Sequence, residues 1–322
     1  MKKKQYKLKK EAKVLLIIIV ILIIGAFIAR AIYKDYVYKN SYEYKLEMHG
    51  YSEEEVKILI KNLDDKYLDK LLKSTKDTTI ISFLKEKYYI SKNLDRYLAY
   101  YDKHKKEDIS DIVTLINING DYEYYEHDIE SDVSKNELLL CNKYYKLSSE
   151  YVPEDLVTIN NKYYYGEAQQ VREEVYNAFI DMWNAANNEG IYLIINSSYR
   201  SYQDQEAVYN EYKDLYGESG ADSIAARPGY SEHQTGLSVD IFSKDNTSTK
   251  TFKDSNAYKW LLENSYKYGF ILRYPEGKEN LTGYNFEAWH YRYIGKKVAK
   301  EVHDKNLTYD EYYAYFIENT KK

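Results

Sequence analysis

Two short stretches hold the residues best suited to chemistry: residues 231–240, SEHQTGLSVD, and residues 287–290, EAWH. Together they offer two imidazoles, one aspartate inside an apolar run (Val239-Asp240-Ile241-Phe242) and a further glutamate. A hydrolytic zinc site uses about three protein ligands, keeps one position open for water and has a carboxylate base close by. His233, Asp240 and His290 can fill the three ligand places, which leaves Glu287 as the base. An aspartate buried in such a run is costly unless it meets a cation. His233 could be that partner without a metal; with His290 present as well, one Zn2+ ion is the simpler answer.

Glu287 and His290 lie three apart, so in a regular strand they would point to opposite faces. To share one metal they need a bulge or turn at Ala288-Trp289, with Trp289 expected as a buried packing peg. Other elements must hold these loops in place. Val171, Val175, Phe179, Met182 and Ala186 recur at helical spacing over residues 167–188, with Gly190 as the stop. Residues 191–195 (IYLII) read as a buried strand that delivers Ser197-Ser198-Tyr199-Arg200 to its end. A helix is expected at 203–216, a loop at 229–236, and strands at 237–242, 270–274 and 287–294. Residues 294–305 look helical, and Thr308 with Glu311 forms a capping box opening a last helix to about 318. Strands and helices without a βαβ rhythm indicate an α+β fold with a small, mainly antiparallel sheet flanked by helices.

At these residues the chain resembles the VanY/LdcB-type D,D- and L,D-carboxypeptidases of the M15 zinc peptidases, which share a fold with the Hedgehog N-terminal domain. The resemblance rests on Ser-x-His-x6-Asp followed by Glu-x-Trp-His, with Ser198-Tyr199-Arg200-Ser201 upstream, and covers roughly residues 134–316. It implies His233, Asp240 and His290 as ligands of one Zn2+ and Glu287 as base. It also implies Arg200, Gln205 and Ser231 as residues that contact substrate, with Arg200 able to meet an oxyanion or a free carboxylate. The implied reaction is removal of the C-terminal D-alanine from peptidoglycan stem peptides. An endopeptidase with the same site and a non-catalytic zinc-containing wall-binding module are the alternatives. A serine penicillin-binding enzyme does not fit: Ser82-Phe83-Leu84-Lys85 supplies Ser-x-x-Lys, but no Lys-Thr-Gly or Lys-Ser-Gly follows.

Composition narrows the remainder. The formal charge of −5 divides unevenly: ahead of Asp35 stand nine basic residues against Glu11, so the rest carries −13. An acidic body argues against nucleic acid as a partner. Residues 14–29 (VLLIIIVILIIGAFIA) carry no charge and follow seven lysines. Extended to Tyr33 the run is long enough to cross a membrane, and the lysines should stay cytoplasmic. The expected order is a basic cytoplasmic tail (1–13), a transmembrane signal-anchor (14–33), a helical spacer (34–132) and an extracellular zinc carboxypeptidase domain (133–322). Cleavage after Ala29-Arg30-Ala31, giving a secreted protein, is the competing reading. Cys141, the only cysteine, excludes an internal disulfide and reads as a buried, inert thiol. The 41 tyrosines read as a bias in amino-acid usage, His49, His104, His127 and His303 as solvated, and Trp183 and Trp260 as core.

Overall fold

A computed structural model describes residues 9–318. The chain divides into two compact units, residues 1–102 and 103–322, so the division falls ahead of the 132/133 boundary expected from composition.

The described part of the first unit is helical. Its long helix, Lys10–Asn40, buries none of its residues, and its apolar side chains from Val14 to Ile32 lie open all round. Short helices follow at Tyr42–Met48, Glu53–Asn62, Asp65–Leu72 and Thr79–Lys85, packed through Leu46, Val56, Leu59, Leu68 and Phe83. The capping box expected at Ser52 is formed: its Oγ accepts from Glu55 N–H at 3.3 Å, and the Glu55 carboxylate accepts from Ser52 N–H at 2.7 Å.

The second unit is built on a four-stranded antiparallel sheet of β1 (Leu193–Ser197), β2 (Ser238–Ser243), β3 (Phe270–Leu272) and β4 (His290–Tyr293), in the order β1-β2-β4-β3. The α+β expectation holds. Helix Glu173–Asn188 joins the sheet in one core, with Val175, Phe179 and Met182 clustered with Leu193, Ile195, Val239 and Ile241. Each such side chain withdrawn from water contributes about 1.5–3 kcal/mol, enough for this core to fix the strands that carry the site.

Three elements differ from the sequence expectation. Val171 pairs with Val157 in a short antiparallel ladder, Leu156–Thr158 with Gln170–Arg172, so the helix starts only at Glu173. Strand pairing wins there over helical spacing. The helix expected to end at 216 runs from Tyr202 to Ile224, broken at Gly217, whose φ of 75° and ψ of 170° are not helical. The last helix lasts from Tyr309 to Tyr312 before widening into a π-turn, Tyr313–Ile317. Cys141 and Trp260 are buried as expected, and Trp183 is half-buried with its indole N–H donating to the Leu193 carbonyl. His104, His127 and His303 are exposed, whereas His49 is half-buried and stacks on Tyr51.

Candidate metal centre

The site begins in a tight turn. Ser231 stands at its head, with Oγ accepting from His233 N–H at 3.3 Å, and the single-turn helix Glu232–Thr235 ends at Gly236 in the left-handed region, φ 66°. A Cβ there would meet Arg172 Cγ and Leu156 Cδ2 at 3.0 Å. Backbone and space both call for glycine. His233 Nδ1 lies 2.7 Å from the Ser198 carbonyl oxygen. A carbonyl only accepts, so Nδ1 carries the hydrogen and Nε2 the lone pair.

Asp240 and His290 are cross-strand partners in β2 and β4, which puts both side chains on one face. Asp240 Oδ1 is 3.1 Å from His290 Nδ1, and Oδ2 is 3.7 Å from His233 Nε2. The imidazoles stand at 89° with centroids 5.0 Å apart. One ligand atom from each of His233, Asp240 and His290 lies within 4.8 Å of the others. Two imidazoles and a carboxylate at such spacing fit a zinc ion and leave a fourth position for water.

The expected turn at Ala288-Trp289 is present and brings Glu287 Oε2 to 3.8 Å from His290 Nδ1. Trp289 is not the buried peg expected of it. Ala288 takes the inward place, and the half-buried indole stacks on Phe242 and lines the cleft.

The cleft encloses about 410 Å3 and is bordered by the three possible ligands, Glu287, Arg200, Gln205 and Ser231. Arg200 Nη1 donates to Gln205 Oε1 at 2.8 Å and Nη2 to Ser197 Oγ at 3.0 Å. Gln205 is 2% exposed, and its Nε2 donates to the Ala226 carbonyl at 2.8 Å. Both ends of Gln205 are thus engaged within the protein.

Burial holds the His233 pKa down at about 4. Burial also opposes charge on His290, but the carboxylates of Asp240, Glu232 and Glu287 outweigh it and lift that pKa to about 9. Glu287 is pushed up to about 7 by burial and by the neighbouring carboxylates of Asp240 and Glu232. An acid poised near neutrality beside a metal-type donor set can take and return a proton.

Sequence reasoning passed over Glu232, which is buried against Arg273, Arg292 and His290, and Tyr274, whose ring lies 4.9 Å from that of His290. No spacing signals either contact. An acid next to a candidate ligand was the only clue to Glu232.

The family model for D-alanyl-D-alanine carboxypeptidase (VanY) matches residues 168–296. A Bacillus subtilis protein, YodJ, is 43% identical over 184 residues, covering 56% of this chain and 67% of that protein. A D-alanyl-D-alanine carboxypeptidase of Enterococcus faecium is 36% identical over 227 residues, covering 68% of this chain and 69% of that one. The solved LdcB LD-carboxypeptidase is 39% identical and covers 60% of this chain and 92% of its own, with a TM-score of 0.56. The chain belongs to the VanY-type carboxypeptidases of the M15 zinc-peptidase family.

Proposed function

We propose that the protein removes the C-terminal D-alanine from peptidoglycan stem peptides, with His233, Asp240 and His290 holding one zinc ion and Glu287 acting as general base. The observation that carries this is the convergence of three ligand atoms within 4.8 Å beside a half-buried acid. Zinc, when bound, polarises the scissile carbonyl and lowers the pKa of its water toward about 7. Glu287 accepts the proton that the attacking water loses and passes it to the amine of the departing D-alanine. Arg200 binds negative charge at the reacting end of the peptide, either the free carboxylate or the developing oxyanion. Ser197 and Gln205 hold its guanidinium in place. Ser231 borders the same cleft and caps the turn that presents His233.

Helix Lys10–Asn40 is apolar and long enough to cross a membrane. In this reading residues 14–33 remain as an anchor, the lysine cluster stays in the cytoplasm and the catalytic unit works outside the cell.

Replacing Glu287 by Gln keeps the shape of the side chain and removes the base. D-alanine release from a stem pentapeptide or tetrapeptide, followed by mass spectrometry, should fall by about 10²–10⁴-fold with zinc still bound. Undiminished release by the variant would sink the assignment. Release only from internal bonds of C-terminally amidated peptides would point to an endopeptidase.

A further inference from the structure

We propose that Glu232 is a positioning residue of this centre: its carboxylate holds His290 in the tautomer that turns Nδ1 toward the metal. The inference rests on the zinc-site reading of His233, Asp240 and His290. Glu232 directly precedes one ligand in the chain but serves the other, with Oε2 3.4 Å from His290 Nε2. A ring nitrogen facing a carboxylate carries the hydrogen, which leaves the opposite nitrogen with the lone pair. Both ring nitrogens of His290 face a carboxylate, Nε2 that of Glu232 at 3.4 Å and Nδ1 that of Asp240 at 3.1 Å. In the zinc-site reading Asp240 gives its charge to the same ion as Nδ1, so the hydrogen stays on Nε2 and Nδ1 is the ligand atom. His233 meets the same need differently, through its Nδ1 hydrogen bond to the Ser198 carbonyl. The two imidazoles therefore offer different nitrogens, and each is set by its own partner.

Glu232 is itself fixed on every side. Oε1 accepts from Arg273 Nε at 2.8 Å and from Arg292 Nη1 at 2.9 Å, while Oε2 also accepts from Ser238 Oγ at 3.1 Å. The side chains of Glu232, Arg273 and Arg292 have no exposed surface. Arg273 is gripped from its far side by Asp310 at 2.6 and 3.0 Å. Arg292 Nη2 donates to the carbonyls of Glu137 and Leu139 at 3.0 and 2.7 Å. Two guanidiniums thus face two carboxylates, Glu232 and Asp310, in a dry interior where an uncompensated charge would be strongly destabilising. In this reading the network ties the orientation of His290 in β4 to the helix Tyr309–Tyr312 through Arg273 and Asp310.

Replacing Glu232 by Ala would leave the two guanidiniums with one carboxylate, Asp310, and no acceptor where Glu232 stood. The test is therefore Glu232→Gln, which loses the charge but keeps one oxygen for the arginines. Its amide can aim oxygen at the arginines only by turning NH2 toward His290 Nε2. That nitrogen must then accept, which moves the ring hydrogen to Nδ1, the wrong tautomer. In the full chain in detergent, competition with a chromophoric chelator should show zinc bound about 10–100-fold more weakly. kcat on a stem pentapeptide should fall with KM little changed. Zinc affinity within twofold of the parent would overturn the proposal. A second measurement needs no variant: 15N-histidine NMR of the zinc-loaded parent should show His290 protonated at Nε2 and metal-bound at Nδ1. The reverse pattern overturns the proposal even if Glu232→Gln does not fold. Should the parent itself bind no zinc, or His290→Ala bind it undiminished, the metal-site reading fails first, and that result is separate from any effect of Glu232.

Discussion

Arg200 is held in place before any substrate arrives. Its fork donates to Ser197 and Gln205, its backbone N–H donates to the His233 carbonyl at 3.2 Å, and it borders the cleft. A guanidinium fixed in this way suits a planar carboxylate in a manner the single ammonium of lysine cannot match. Charge-assisted hydrogen bonds of this kind contribute about 1.5–3 kcal/mol. Arg200→Lys should therefore lower kcat/KM for D-alanine release by about 10–150-fold. Arg200→Ala should also narrow the preference for free over C-terminally amidated peptide. A variant that keeps the full preference would mean that the free terminus is recognised elsewhere. At this scale the convergence of His233, Asp240 and His290, with Glu287 beside them, was legible in the sequence, because two histidines, an apolar-flanked aspartate and a spare glutamate make the donor set that the proposed site needs. The tether role of Gln205 was not, since it depends on the carbonyl of Ala226, 21 residues away, folding back onto its amide. Glu232 was hidden for the same reason, with its arginines 41 and 60 residues along the chain.

Between single residues and the whole unit stands a clamp on the helix Tyr202–Ile224, which supplies one wall of the cleft. Arg227 donates to both oxygens of Asp222, Nε at 2.9 Å and Nη2 at 2.7 Å, and Tyr209 adds its hydroxyl at 2.8 Å. The Tyr209 bond spans the break at Gly217 and closes the distal segment back onto the proximal one, while Arg227 holds Asp222 from beyond the helix end. Burial on its own would raise the Asp222 pKa, but the hydrogen bonds from Arg227 and Tyr209 outweigh it and hold the carboxyl below its ordinary value. A depressed carboxyl contributes stability that is complete above the unfolded pKa of about 3.9 and lost as pH falls through the lower folded value. Asp222→Asn should therefore melt below the parent at pH 7, with the gap closing as the pH is taken below about 4. A gap that stays constant down to acid pH would show that the carboxylate's charge contributes nothing. The sequence indicated a helix only to 216, because Gly217 interrupts the spacing. That the helix resumes and is pinned by Asp222 is a tertiary effect absent from local pattern. Val171 shows the opposite case, where good helical spacing gave way to a partner strand.

At the scale of the whole molecule, the residues placed at the site all fall in the unit 103–322, while the apolar helix belongs to the other. The α+β character of the catalytic unit was legible because its strands are short, β-branched and bounded by glycine or polar turns. The boundary at 102/103 was not, since both sides are charged and proline-free. For the N-terminal helix, a chain of 31 residues at about 1.5 Å each reaches about 46 Å, beyond the roughly 30 Å of hydrocarbon it would need to cross. The helix passes unbroken through Ala29-Arg30-Ala31 to Asn40, so that triplet sits within regular structure. An apolar surface open on every face suits a bilayer, as a retained anchor or a signal segment would, and the proposed reading is the anchor. Membranes washed with alkaline carbonate should therefore retain the protein, and its intact mass after extraction should include residues 1–33. A mature N-terminus at Ile32 or Tyr33, with activity in the medium, would replace the anchor with a cleaved signal. It would leave the zinc chemistry untouched, because no residue placed at the metal centre lies in that unit.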